Sequence, residues 1–115
     1  MIRKLTKKKK VFDEEVYRKL GVNNLILFSI YSLISKKKKC TFEELMKECF
    51  TLFPKVFSFS RFSQWPDARK LDRPLRFLRK RKLIEGDPKT SFSLTKLGEN
   101  SVKDVVRFLT QKKLW

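Results

Sequence analysis

The sequence predicts a single α+β domain, mostly helical, and three observations carry that expectation. From Phe12 to Lys82, apolar residues recur at three- and four-residue intervals in successive stretches, the spacing of helices that bury one face. At Leu83 the spacing stops, and two short strand candidates, 83–86 and 91–94, flank Asp87-Pro88-Lys89-Thr90, a tight-turn composition. Helical spacing then returns after Thr95. With 115 residues, 41% of them hydrophobic and 11 of them Phe, the chain suffices for one modest core and is too apolar for a disordered basic tail.

Taken in order, residues 12–20 read as a short helix, with Phe12, Val16 and Leu20 four apart and Gly21 as terminator. Asn23 or Asn24 is the expected cap of a second helix running through Ile34. Its residues are apolar almost all round, the pattern of a central, buried helix. After Lys36–Lys39, Thr41 followed by Glu44 fits a capping box. The helix it opens spaces Phe42, Leu45, Met46, Cys49 and Phe53 along one side, and Pro54 ends it. Residues 55–66 read as a loop whose rings, Phe57, Phe59, Phe62 and Trp65, plug the gap beneath the next helix and cover the core rather than stack on bases.

A long basic helix is expected over 67–82. Leu71, Leu75, Leu78 and the aliphatic stem of Lys82 form its docking face, with Arg69, Arg73, Arg76 and Lys80 on the other. Pro74 leaves two arrangements open. A helix starting at Asp67 would be kinked at Pro74, whereas a helix capped by Asp72 would hold Pro74 in its first turn. The final helix uses Leu97, Val102, Val105, Val106 and Leu109 as its apolar side.

The formal net charge is +17, from 29 Lys and Arg against 12 Asp and Glu. Three segments carry all of it: +6 over 1–10, +4 over 35–41, and +7 over 69–82, where eight basic residues stand against Asp72. Such a field favours a polyanion as partner. Residues 1–11 are expected to form a flexible basic arm and 12–115 a single domain with its core in 23–102. Cys40 and Cys49, with no His in the chain, cannot complete a four-ligand structural zinc site, and core filling is their expected role. Without His, clustered carboxylates or a Gly-rich phosphate loop, no enzymatic activity, cofactor or metal is expected. The apolar stretch Leu25–Ile34 is too short to span a bilayer, and the expected location is cytoplasmic, on the nucleoid or on host-cell nucleic acid.

The segment from Leu75 to Gly86, followed by Phe92-Ser93-Leu94-Thr95-Lys96-Leu97-Gly98, resembles winged helix-turn-helix transcription regulators. It is similar in particular to the multiple-antibiotic-resistance and phenolic-acid-response types, in which a Leu-Thr-x-x-Gly element is common. The resemblance spans Asn24 to Val102 and implies a winged helix-turn-helix with an extra N-terminal helix and a C-terminal helix. In that family the third helix enters the major groove of DNA and the hairpin touches the neighbouring backbone or minor groove. Residues 42–53 then match the second helix, 67–82 the recognition helix, and Lys89 the wing tip. Two features depart from the pattern: Lys82 stands where a small residue or Gly usually precedes the wing, and the connector before the recognition helix is longer than usual.

The expected partner is double-stranded DNA and the expected role a non-catalytic transcription regulator. Arg69, Arg73 and Arg76 are the candidates for base edges, since a guanidinium fork pairs with guanine O6 and N7. Lys70, Arg79, Lys80, Arg81, Lys82, Lys89 and the run Lys36, Lys37, Lys38 and Lys39 are the candidates for phosphates. Arg3, Lys4, Lys7, Lys8, Lys9 and Lys10 form the arm, suited to a neighbouring groove. A homodimer through Val105, Val106, Phe108 and Leu109 of the last helix, with Leu114 and Trp115, is a further expectation. An architectural, nucleoid or RNA-binding protein and an interaction subunit of a larger nucleoprotein complex are the alternatives.

Overall fold

The computed structural model describes residues 14–113, apart from the side chains of Val16 and residues 110–113. It is mostly helical with one small antiparallel sheet. The elements are α1 (Glu14–Tyr17) running into a 3-10 turn (Arg18–Leu20), α2 (Val22–Ser35), α3 (Phe42–Leu52), α4 (Arg69–Lys80), β1 (Ile84–Gly86), β2 (Phe92–Leu94) and α5 (Lys96–Lys113). Phe12, with which the first helix was expected to begin, lies outside the described residues.

α2 is the axis of the core, as its all-round apolar pattern led us to expect. Residues Leu25 to Ile30 and Leu33 are buried, and α3, α4, α5 and β2 all pack on it. Ser29 is tolerated there because its hydroxyl donates to the Leu25 carbonyl at 2.9 Å. The expected asparagine cap is corrected: the helix starts one residue after Gly21, whose φ of 85° and ψ of 151° suit only glycine. Asn24 instead lies in the first turn and donates from Nδ2 to the Leu20 carbonyl at 2.7 Å, tying the preceding turn down. Beneath it, Tyr17, Phe28 and Phe53 form an aromatic knot. The Tyr17 and Phe53 rings meet edge to face at 4.9 Å, and those of Phe28 and Phe53 at 6.1 Å.

The Thr41 cap forms, its hydroxyl accepting from the Glu44 backbone N–H at 3.2 Å. Glu48, buried on α3, accepts from the Ser32 hydroxyl at 2.6 Å and the Lys36 ammonium at 2.8 Å, latching α3 to the end of α2. Cys40 and Cys49 are free and buried, as core filling requires. Burial, followed by the nearby Glu48 carboxylate, pushes the Cys40 thiol up to about 12, so it stays protonated.

Helices α2 and α4 end alike, and the ending uses lysine where glycine is usual. The N–H groups of Lys82 and Leu83 reach the Arg79 and Leu78 carbonyls at 3.0 Å each, and those of Lys37 and Lys38 reach Ile34 and Leu33 at 2.9 Å each. These are Schellman caps, and they set Lys82 at φ 61° and Lys37 at φ 62°. Lys82 is therefore turned away from the docking face on which its stem was expected, which corrects that expectation. Its departure from the glycine pattern is one of residue type only, since it keeps the glycine conformation. Lys82→Gly is expected to raise stability by about 1 kcal/mol, the usual left-handed penalty. A denaturation midpoint that stays level or falls would contradict this.

β1 and β2 pair with Ile84 opposite Leu94 and Gly86 opposite Phe92. In the turn between them, the Asp87 carboxylate accepts from the N–H groups of Lys89 and Thr90 at 2.8 and 3.1 Å. Outside the pair, the Phe92 N–H donates to the Cys40 carbonyl at 2.9 Å, attaching the sheet to the segment before α3. The Leu94-Thr95-x-x-Gly98 element is a clasp. The Thr95 hydroxyl donates to the Lys82 carbonyl at 2.7 Å and accepts from the Gly98 N–H at 3.0 Å, capping α5 against the end of α4. Gly98 is required because a Cβ there would overlap the Leu83 carbonyl oxygen. Gly98→Ala is expected to cost about 1–3 kcal/mol as the backbone moves aside, read as a lower denaturation midpoint. Leu97, expected on the apolar side of α5, is 54% exposed, because the clasp turns Gly98 rather than its neighbour inward.

Candidate nucleic-acid interface

The basic helix is one continuous segment, shorter at both ends than expected. It opens with two tight bonds, from the Lys70 N–H to the Asp67 carbonyl and from the Leu71 N–H to the Ala68 carbonyl, both 3.1 Å. Asp72 is not the cap. Asp67 takes that work, its carboxylate accepting from the Arg69 backbone N–H at 3.1 Å. Pro74 lies inside the helix, where it removes one backbone bond without ending it.

Leu71, Leu75 and Leu78 dock α4 on the core, and Arg69, Arg73, Arg76 and Lys80 lie on its exposed side. The four residues fall on one stripe of about 60°, since helical residues advance by about 100° each. Arg69, Lys70, Arg73 and Arg76 also line one concave surface, together with a single acid, Asp72, and with Val22, Val56 and Pro74. A shallow basic hollow of this kind suits phosphate oxygens and base edges.

The three expected base readers are not equivalent. Arg69 is held by Asp67, Nε to Oδ1 at 2.9 Å and a terminal nitrogen to Oδ2 at 3.0 Å, with its guanidinium 5.2 Å from the Phe59 ring centre. The Arg69 bond holds the Asp67 carboxyl below the usual carboxylate range. Nε and one terminal nitrogen of Arg69 are engaged by Asp67 while its side chain stays 77% exposed, so Arg69 helps position the start of α4 and offers less of its guanidinium to a base edge than Arg73 does. Arg76 meets Asp72 at 3.0 Å in an exposed pair. Arg73 makes no ion pair with another described residue.

The phosphate candidates also separate. Lys70 donates to the Ser58 carbonyl at 2.7 Å and is partly spent. Arg79 and Lys80 are exposed, and Arg81 lies over Phe77, 5.3 Å from its ring centre. Lys89 is exposed at the turn between β1 and β2. Lys36 is exposed but pairs with the buried Glu48 carboxylate, whereas Lys37, Lys38 and Lys39 are exposed and have no ion pair with another described residue. Arg3, Lys4, Lys7, Lys8, Lys9 and Lys10 lie outside the described residues, as do Leu114 and Trp115. Of the residues expected at a dimer contact, Val105 and Leu109 are buried in the chain's own core, and Val106 and Phe108 are half-buried.

The connector between α3 and α4 holds what the sequence reading missed. Residues 57–59 and 65–67 face each other, with the Phe59 N–H on the Trp65 carbonyl at 3.1 Å and the Asp67 N–H on the Phe57 carbonyl at 2.9 Å. Phe57 is buried as expected, yet Phe62 and Trp65 are 50% and 55% exposed and do not cover the core. They stack on each other instead, ring centres 5.3 Å apart and planes 26° apart. The signal available in the sequence was the polar company of these rings: Ser60, Arg61, Ser63 and Gln64 leave no helical or alternating face on which both could be buried.

Among the described residues no group of three His, Cys, Asp or Glu could hold a metal ion, and no helix is long and apolar enough to cross a membrane. Compared with known proteins, the chain matches no family model, no curated protein and no solved structure.

Proposed function

We propose that this chain is a non-catalytic winged helix domain that binds double-stranded DNA as a transcription regulator. In this reading α4 lies in the major groove and the β1–β2 turn lies against the flanking backbone. The observation that carries the proposal is the stripe on α4: four cations on one exposed side of a helix whose opposite side is fixed to the core. Eight like charges within 69–82 repel one another, and a polyanion relieves that repulsion.

The order of α2, α3, α4, the β1–β2 pair and α5 supports the winged helix reading. So do the bond from Phe92 to Cys40, which gives the hairpin a third backbone neighbour, and the Thr95–Gly98 clasp. In this arrangement Arg73 and Arg76 read base edges, while Arg79, Lys80, Lys82, Lys89 and Lys37 to Lys39 hold phosphates.

A competition experiment tests the proposal. The protein is titrated against duplex DNA, single-stranded DNA and duplex RNA at several salt concentrations. Duplex DNA is expected to bind most tightly, with affinity falling steeply as salt rises. Equal affinity for all three would contradict the regulator reading, and no binding near physiological salt would favour an interaction subunit.

A further inference from the structure

We propose that Phe62 and Trp65 form a stacking platform for an unpaired base at the edge of a duplex, so that the domain prefers DNA in which double strand meets single strand. This rests on the duplex reading of α4 and adds a second ligand feature to it.

Two half-exposed aromatic rings side by side are costly to leave in water, and neither is used by the core. Their arrangement is built rather than incidental. The Trp65 N–H donates to the Phe62 carbonyl at 3.0 Å, closing a turn that puts the two side chains on the same side. The base of that turn is fixed to the basic helix. Lys70 holds the Ser58 carbonyl, and Arg69 lies over Phe59 while gripping Asp67. The turn that carries the ring pair is thereby anchored at the start of α4.

Charge complementarity selects the occupant. Arg61 is exposed and adjoins Phe62 in sequence, Arg69 and Lys70 hold the base of the turn through Phe59 and Ser58, and the acid there, Asp67, is already neutralised by Arg69. Aromatic faces among cations match a nucleic acid, whose bases stack and whose phosphates pair. A self-stacked pair suits an unpaired base better than a closed duplex: the base extends the stack by one ring, whereas a wedge into paired DNA needs a single projecting side chain.

The test compares a blunt DNA duplex with the same duplex carrying a single-stranded overhang, measured with wild type, Trp65→Ala, Trp65→Leu and Trp65→Phe. Wild type is expected to bind the overhang duplex more tightly. Trp65→Ala and Trp65→Leu are expected to lose about 5- to 100-fold on the overhang duplex, the range for losing one stacked base. Their blunt-duplex affinity should stay within about twofold of wild type, and Trp65→Phe should bind nearly as wild type, because any aromatic face stacks. Equal losses on both duplexes, or none on either, would overturn the platform and leave the duplex reading standing. Trp65-dependent binding of the overhang DNA with no binding of the blunt duplex would overturn the duplex reading and keep the platform.

Discussion

Replacing Arg73 and Arg76 together with alanine is expected to lower affinity for a preferred duplex by about 2–6 kcal/mol, from roughly 1–3 kcal/mol for each guanidinium that pairs with a base edge. The two lie one turn apart on the exposed side of α4, so a single groove reaches both. The pair between Arg76 and Asp72 is no obstacle. It is an exposed i,i+4 contact, worth about 0.3–0.5 kcal/mol and screened by salt. Affinity for random duplex should fall much less, because there the change removes only electrostatic contacts. Fluorescence anisotropy on a selected site and on random DNA measures both. A uniform loss across sequences would assign these arginines to phosphates and favour an architectural protein. Arg69 makes a poorer probe, since its removal also strips the buried Asp67 of its partner.

Phe53→Ala is expected to cost about 3–5 kcal/mol of folding stability. That is a large share of the roughly 5–15 kcal/mol that holds a domain together. Phe53 is fully buried at the junction of α1, α2 and the α3–α4 connector, where its ring meets Tyr17 and Phe28 and its carbonyl accepts from the N–H groups of Val56 and Phe57. The truncation would leave a cavity that three separate elements would have to collapse together to fill. Urea denaturation followed by circular dichroism reads the loss. A midpoint close to wild type would mean that the aromatic knot does not organise the core. DNA binding measured below the new unfolding midpoint should be unchanged, since the rings that Phe53 meets, Tyr17 and Phe28, lie outside the basic stripe.

The core was legible because it obeys periodicity. The all-round apolar run of α2, the Thr41 cap and the leucine face of α4 each follow from local spacing, and each is where spacing puts it. Gly98 was legible as a motif, and its reason emerged only with the Leu83 carbonyl beside it. The site was less legible. Charge marks the stripe on α4, and its pairs with Asp67 and Asp72 are local, but the partners of two other lysines lie in separate segments. Lys36 lies 12 residues from Glu48, and Lys70 lies 12 from Ser58. Composition alone treats such lysines as free. The rings of the connector were misjudged for the same reason: aromatic residues in a small domain are usually buried, and only the paired backbone of 57–59 and 65–67 turns Phe62 and Trp65 outward.

The central claim is that α4 and the β1–β2 turn form the face presented to duplex DNA. Backbone amide chemical shifts of the labelled protein, followed during titration with a short duplex, test it residue by residue. The expected result is a contiguous set of changes over 69–82 and 87–90. Changes confined instead to the apolar groove lined by Tyr31, Ile34, Lys103 and Val106 would contradict it.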